Sequence, residues 1–160
     1  MSVSQRTSRQ QALYAALVLR VALGVVFVAH ALMKVIVFTL PGTAQFFEAH
    51  GFPGWTAYPV TLVELIGGTL LIAGLHTRAV ALGLIPVLLG AFTVHWANGW
   101  SFTAAGGGWE YVAFLIVALV TQALLGDGAL AASRLRHRGP EGGPVPQGDP
   151  VSTRARAMAS

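Results

Sequence analysis

Apolar residues in this chain are concentrated in four long stretches. They extend from about Leu17 to Leu40, Tyr58 to Leu75, Ala79 to Ala97 and Trp109 to Leu125. At a rise of about 1.5 Å per residue, stretches of roughly 17 to 24 residues cross a hydrocarbon core of about 30 Å, the last only just. The pattern predicts an all-α polytopic membrane protein in which four transmembrane helices form a bundle.

The first stretch also resembles a secretory signal peptide. Ala29-His30-Ala31 fits a signal-peptidase site, and Arg6 and Arg9 fit the charged segment that precedes the apolar part. Arg20 interrupts the run, however, and apolar sequence continues past Ala31. We therefore interpret the stretch as a span that is retained.

Basic residues predict the orientation of the bundle. Loops 41–57 and 98–108 contain no Lys or Arg, whereas Arg78 occupies the turn between the second and third stretches and arginines flank the first and last. Because basic segments remain in the cytoplasm, both termini are expected there, in a bacterial-type plasma (inner) membrane. Aromatic residues in loop 41–57 predict a short amphipathic element on the outer face.

The same pattern divides the chain into three segments. Residues 1–16 are expected to form a cytoplasmic N-terminal segment and residues 17–130 the four-helix membrane domain. Residues 131–160 are rich in Pro and Gly and lack periodicity, which predicts a disordered tail.

Composition agrees with a membrane location and excludes several functions. Apolar residues make up 54% of the chain and charged residues 10%, with a mean hydropathy of +0.65. A soluble domain carries about 25% charged residues. The net charge of +4 comes mainly from arginines near the two ends, which fits topology better than nucleic-acid binding. The absence of cysteine excludes disulfides, thiolate metal ligation and thiol catalysis within the chain.

Each stretch carries a charged or titratable side chain in its outer part, namely Lys34, Glu64, His95 and Glu110. A charge inside a bilayer costs roughly 3 kcal/mol on insertion scales, so it is tolerated where it faces protein, water or a partner. Counted along helices that run in opposite directions, all four lie within about 9 Å of the outer face. His30 lies one turn deeper than Lys34 on the same helix face. The sequence thus predicts an outer polar cluster.

Two interpretations of this cluster remain open. Lys34 and a carboxylate can form an ion pair that only stabilises the bundle, since such polar pairs contribute about 0.6 kcal/mol on average. Alternatively, the cluster binds and protonates a small headgroup such as a quinone. In that case His95 and Glu110 are the catalytic candidates, and His30, Lys34 and Glu64 the ligand-binding ones.

Other site chemistries fit less well. Two histidines with two carboxylates resemble a metal-ligand set, but His30 and His95 lack the short spacing of dedicated sites, so no metal site is predicted. A solute transporter needs an aqueous path, yet the helices between the cluster and Arg20 are almost wholly apolar.

The inner side carries a second polar set with an expected structural role. Arg20, Arg78 and Asp127 lie near the cytoplasmic helix ends, where Arg20 can extend to the interface or pair with Asp127. Gly67 and Gly68, one turn below Glu64, predict close approach of a neighbouring helix.

Several motifs occur in the order found in a known family. The first helix contains Arg20-x-x-Leu23-Gly24-x-x-Phe27-x-x-His30-x-x-x-Lys34, the second contains Glu64-x-x-Gly67-Gly68 and Thr77-Arg78 follows it, and Gly126-Asp127-Gly128 follows the fourth. Over about residues 17 to 130 the chain resembles the DoxX family of small four-helix membrane proteins. Ala31 and Val35 replace the family's usual glycine and leucine, which are mild departures.

The resemblance implies a redox role. Relatives in the family include the membrane subunit of a thiosulfate:quinone oxidoreductase, which suggests electron transfer to quinone or a membrane anchor for a redox complex. The chain shows no haem, flavin or metal motif, so a quinone or a partner subunit would carry the electrons. The expected partners are the lipid bilayer and a redox protein or a second copy of the chain.

Overall fold

The computed structural model describes residues 3–133. In order, its elements are α1 (Val3–Ile36), α2 (Leu40–Ala49), a 3-10 turn (Gly54–Thr56), α3 (Ala57–Ala73), α4 (Thr77–Trp96) and α5 (Glu110–Leu125). All regular elements of this described part are helical, which confirms the predicted fold class. The predicted disordered tail lies outside the described residues from position 134 onward.

The long helices α1, α3, α4 and α5 form the bundle. α1 packs mainly against α3 and α4 mainly against α5, while contacts of α3 with α4 and of α1 with α5 close the ring. Leu23, Phe27, Leu71, Leu84 and Leu119 lie in the core between them. Large apolar side chains cover the outer faces of these helices, as expected where lipid replaces water.

Three of the segments are long and apolar enough to cross a membrane: α1, α3 together with the turn before it, and α4. α5 has 16 residues, or about 24 Å, and falls short of a hydrocarbon core of about 30 Å. The sequence predicted that this last span is marginal.

Helix α1 differs from its prediction at both ends. It begins at Val3 because the polar segment before Leu17 is rich in Gln, Ala and Arg, which favour helix without adding hydropathy. It ends at Ile36 because a new helix starts nearby: the Thr39 hydroxyl accepts a hydrogen bond from the Gly42 amide at 3.2 Å, and Pro41 occupies the first turn of α2. The first and last residues of α3, α4 and α5 lie within two residues of the ends of the predicted apolar stretches.

Glycines bring α1 and α3 into backbone contact. A Cβ atom on Gly24 would lie 2.6 Å from the Gly68 carbonyl oxygen, and one on Gly68 would lie 2.8 Å from the Gly24 oxygen. Gly67 faces α4, where a Cβ would lie 3.0 Å from a Leu84 methyl group. Small residues permit this close approach, which gains dispersion contacts where lipid provides no hydrophobic drive.

The two ends of the bundle are built differently. The loop end carries α2, the 3-10 turn and the connection 97–109. The turn end carries the short turn 74–76 and the segment 126–131 that follows α5. The candidate site lies at the loop end.

Candidate functional site

A cavity of about 740 Å³ occupies the loop end of the bundle. Residues of α1, α3, α4 and α5 form its walls, and residues of α2 and of the connection 97–109 also line it. The lining is mostly apolar, with Phe27, Phe47, Pro86, Val112 and Leu115 among its members. Four of the five predicted site residues line it as well: His30, Lys34, Glu64 and His95.

Lys34 and Glu64 form an ion pair in the cavity wall. The Lys34 ammonium donates to Glu64 Oε2, which joins α1 to α3. The Lys34 side chain is 19% exposed and that of Glu64 7%, so the charges are shielded from solvent while Lys34 keeps access to the cavity. The Thr43 hydroxyl lies 2.9 Å from the Thr39 carbonyl oxygen and 3.2 Å from that of Lys34, so α2 sits against the end of α1.

His95 holds the long connection in place. Its Nδ1 atom lies 2.9 Å from the Gly107 carbonyl oxygen and 3.1 Å from that of Gly106. Asn98 Nδ2 donates to the same Gly107 oxygen at 3.0 Å. Gly106 and Gly107 have φ values of 81° and 75°, a region that L side chains rarely adopt, so glycine is needed for the chain to reverse here.

An aromatic cluster supports the same connection. The Trp109 ring lies 4.5 Å from the Trp100 ring, 5.3 Å from Trp96 and 5.6 Å from Phe92, measured between centroids. Pairs in this range contribute about 0.5 to 1.5 kcal/mol beyond their buried area. The connection is therefore fixed on the α4–α5 side of the cavity.

Glu110 does not join the other candidates. It lines a separate depression together with Trp100, Phe102 and Phe114. Its Oε1 atom accepts a hydrogen bond from the Phe102 amide at 3.0 Å. The structure therefore does not bring Glu110 together with the other four candidates, because an amide in the irregular connection needs an acceptor and Glu110 supplies it.

His50 also lines the cavity, while remaining exposed to solvent, and it was not among the predicted site residues. It caps the C-terminal end of α2, with Nδ1 2.8 Å from the Phe46 carbonyl oxygen and its ring 4.1 Å from the Phe46 ring. The i, i+4 spacing of Phe46 and His50 was the available signal, because such residues share a helix face.

The turn end encloses Arg20. Its side chain extends into the protein instead of to the interface, and only 1% of the residue is exposed. Nη2 donates to the Ala129 carbonyl oxygen at 3.4 Å, and the charge of Asp127 attracts the guanidinium. A Cβ atom on Gly74 would overlap Arg20 Nη1.

Other polar groups complete the turn end. The Ala129 amide donates to the Leu13 carbonyl oxygen at 2.8 Å, and the Ser133 hydroxyl donates to Asp127 Oδ2 at 2.6 Å. Arg78 lies beside Gly126, where a Cβ atom would be 3.0 Å from its Nε. Within residues 3–133, the buried side-chain atoms without a hydrogen bond are Arg20 Nε and Nη1, Thr77 Oγ1 and Gln122 Oε1.

Within the described residues, no group of three or more His, Cys, Asp or Glu side chains is arranged to hold a metal ion.

Comparison with known proteins defines the family. The sequence model of the DoxX family matches residues 15–96, slightly more than half of the chain. The chain belongs to the DoxX family. The matched region of this DoxX protein includes His30, Lys34, Glu64 and His95, and it ends before α5.

A curated relative is known from Bacillus subtilis (strain 168). It is named "Putative oxidoreductase CatD" and is 43% identical over 75 residues, which are 47% of this chain and 54% of that protein. The chain thus spans about half the length of the curated relative that it matches. No solved structure matches the chain.

Proposed function

We propose that this DoxX family membrane protein is a component of a redox system and binds a quinone, or a small ligand of the same kind, in the loop-end cavity. The observation that carries the proposal is the cavity itself, in which His30, Lys34, Glu64 and His95 from three helices surround about 740 Å³ of mostly apolar volume. Ligand pockets typically have about 300 to 1,000 Å³ and a few convergent polar groups.

Each polar residue has a defined part in this proposal. Lys34 provides positive charge beside a ring oxygen, and Glu64 orients its ammonium through the ion pair. His95 transfers protons from the wall formed by α4, and His30 makes a deeper polar contact on α1. Glu110 has no part in the cavity, since its carboxylate faces the Phe102 amide.

The electrons come from outside this chain. The chain has no cysteine, and a quinone ring supplies two-electron chemistry when it is bound. A redox partner protein, or a second copy of the chain, completes the system. The oxidoreductase name of the Bacillus relative supports a redox role.

The proposal also includes an orientation. Arg6, Arg9 and Arg20 lie on the turn-end half of α1, and Arg78 lies in the first turn of α4, at the same end of the bundle. The positive-inside rule then places the turn end and both termini in the cytoplasm and opens the cavity on the outer side of the inner membrane.

One observation favours a second function, a non-enzymatic anchor for a partner protein. Lys34 and Glu64 neutralise each other within the wall, so the pair has a structural role without any ligand. In an anchor, the cavity would contain lipid chains or detergent, and no quinone would co-purify.

Two glycines on α4 provide a direct test. A Cβ atom on either Gly90 or Gly83 would meet nothing within 4 Å, but only Gly90 lines the cavity. Gly90→Met therefore fills the cavity, while Gly83→Met adds the same side chain two turns away. Native mass spectrometry with lipid extraction is expected to find quinone in the wild type and in Gly83→Met, and to lose it in Gly90→Met.

Other outcomes decide against the proposal. Equal quinone in all three proteins would place the ligand elsewhere, and none in the wild type would favour the anchor. Circular dichroism of each variant shows whether the helical bundle is intact.

A further inference from the structure

Three histidines around the cavity share one hydrogen-bonding arrangement. In His30, His50 and His95, the Nδ1 atom lies 2.8 to 2.9 Å from a backbone carbonyl oxygen, those of Val26, Phe46 and Gly107 respectively. All three residues line the same cavity, although they come from α1, the C-terminal cap of α2 and α4; His30 and His95 are partly buried, and His50 is also exposed to solvent.

This arrangement determines which ring nitrogen carries the proton. A carbonyl oxygen only accepts hydrogen bonds, so each Nδ1 must carry hydrogen. In the neutral imidazole the other nitrogen, Nε2, then has a free lone pair. No Nε2 atom of the three makes a hydrogen bond to any residue in the described part. The cavity therefore presents three nitrogen acceptors.

The remaining polar groups add few donors. Glu64 uses Oε2 for Lys34, which leaves Oε1 as a further acceptor. The Thr56 hydroxyl donates its hydrogen bond to the Pro53 carbonyl oxygen at 2.6 Å, so it offers no donor to a ligand. Free donors in the lining come from the Lys34 ammonium and the Tyr111 hydroxyl. Acceptors thus outnumber donors.

We infer that the cavity discriminates between the redox forms of its ligand and binds the reduced dihydroxy ring more tightly than the quinone. The hydroxyl groups of a hydroquinone donate to Nε2 of the histidines, whereas a quinone has no hydrogen to donate and leaves these lone pairs unpaired, even where Lys34 meets one of its carbonyl oxygens. Unmade hydrogen bonds cost more than made ones gain. This inference rests on the proposed function, since it concerns the same cavity.

Calorimetry on the full-length protein in detergent, under argon, tests the inference with two probes. A short-tailed benzoquinol and the matching benzoquinone differ only in the two hydroxyl protons and the ring's oxidation state. One additional hydrogen bond corresponds to roughly two- to tenfold in affinity, so the quinol is expected to bind about tenfold more tightly when two form.

Substitution of each histidine by asparagine tests the role of Nε2 independently of that of Nδ1. In His30→Asn, His50→Asn and His95→Asn, the amide nitrogen takes the place of Nδ1 and keeps the backbone hydrogen bond, but nothing replaces Nε2. At least one variant is expected to weaken quinol binding about fivefold and to weaken quinone binding by a smaller factor, so that the preference for quinol falls. The matched control is His76→Asn, at the turn end, where φ is 49° and asparagine is well tolerated.

Each outcome has a separate meaning. Quinone binding as tight as quinol binding, or tighter, overturns the inference and leaves the proposed function standing, because donors such as the Lys34 ammonium would then determine which form binds. A quinol preference that no histidine variant alters overturns the assignment to the Nε2 atoms. Absence of binding by both probes overturns the inference and the proposed function together.

Discussion

The loop end and the turn end admit charge into the bundle in different ways. At the loop end, Lys34 and Glu64 stand beside open volume, and a glycine such as Gly90 has room for a side chain. At the turn end, Arg20 is enclosed by backbone, and Gly74 has no room for even a methyl group. A charge beside open volume leaves room for a ligand, whereas a charge enclosed by backbone fixes the helices around it.

The largest effect is expected from Gly74→Ala at the turn end. The new methyl group would overlap Arg20 Nη1, and the residue has a φ of 71°, where alanine is strained. Together these should cost on the order of 3 kcal/mol of stability, measured by thermal unfolding in detergent. Gly83→Ala, with nothing within 4 Å of its Cβ, is the control and should stay within about 1 kcal/mol. Equal losses of stability in Gly74→Ala and Gly83→Ala would show that the two glycines do not differ in how tightly they are packed.

The next effect concerns the ion pair at the loop end. Lys34→Met leaves the largely buried Glu64 carboxylate without its partner, so the free energy of unfolding should fall by about 2 kcal/mol. Glu64→Gln should act similarly, while the double variant should recover at least half of the loss, because no unpaired charge remains. A double-mutant cycle in detergent measures this coupling. Additive losses would show that the two charges do not stabilise each other.

A smaller effect is expected from Asp127→Asn at the turn end. The amide can still accept from the Ser133 hydroxyl, but it no longer attracts the buried Arg20 guanidinium. The free energy of unfolding should fall by about 1 kcal/mol. Ser133→Ala removes the hydrogen bond alone and separates the two contributions. An unchanged unfolding temperature in Asp127→Asn would show that the Arg20 charge is held by other groups.

The smallest effect is expected from Glu110→Gln. The amide oxygen of glutamine can accept from the Phe102 amide as the carboxylate does, so stability should change by less than about 0.5 kcal/mol. Glu110→Leu removes the acceptor and should cost about 1 kcal/mol, with a change in tryptophan fluorescence from the neighbouring cluster. Loss of co-purifying quinone in Glu110→Gln would show that Glu110 contributes to ligand binding.

Hydropathy predicted most of the bundle because it determines which residues face lipid. The ends of α3, α4 and α5 follow the apolar stretches, whereas the start of α1 does not, since its first residues are helical for reasons of propensity alone. The depth of a residue along a helix can be counted from the sequence, and that count placed Lys34, Glu64 and His95 at one level, with His30 one turn deeper.

The direction of a side chain around the helix axis was harder to predict. Glu110 lies at the right level but turns toward the connection, because the path of residues 97–109 follows from glycine conformations and aromatic contacts that spacing does not reveal. His50 was missed for the complementary reason, since the loop that contains it folds over the bundle and brings it to the cavity.

The length of α1 has a consequence for how the protein responds to salt. The 34 residues of α1 extend about 51 Å, and Arg9 and Arg6 lie roughly 6 and 10 Å beyond Leu13, where the turn end closes on the helix. In the proposed orientation that level is the cytoplasmic face, so both arginines would lie within about one Debye length, 10 Å at 0.1 M salt, of its anionic headgroups. Their attraction to lipid, about 1 kcal/mol each, fades as ionic strength rises, whereas Arg20 on the same helix is enclosed by protein and is insensitive to ionic strength.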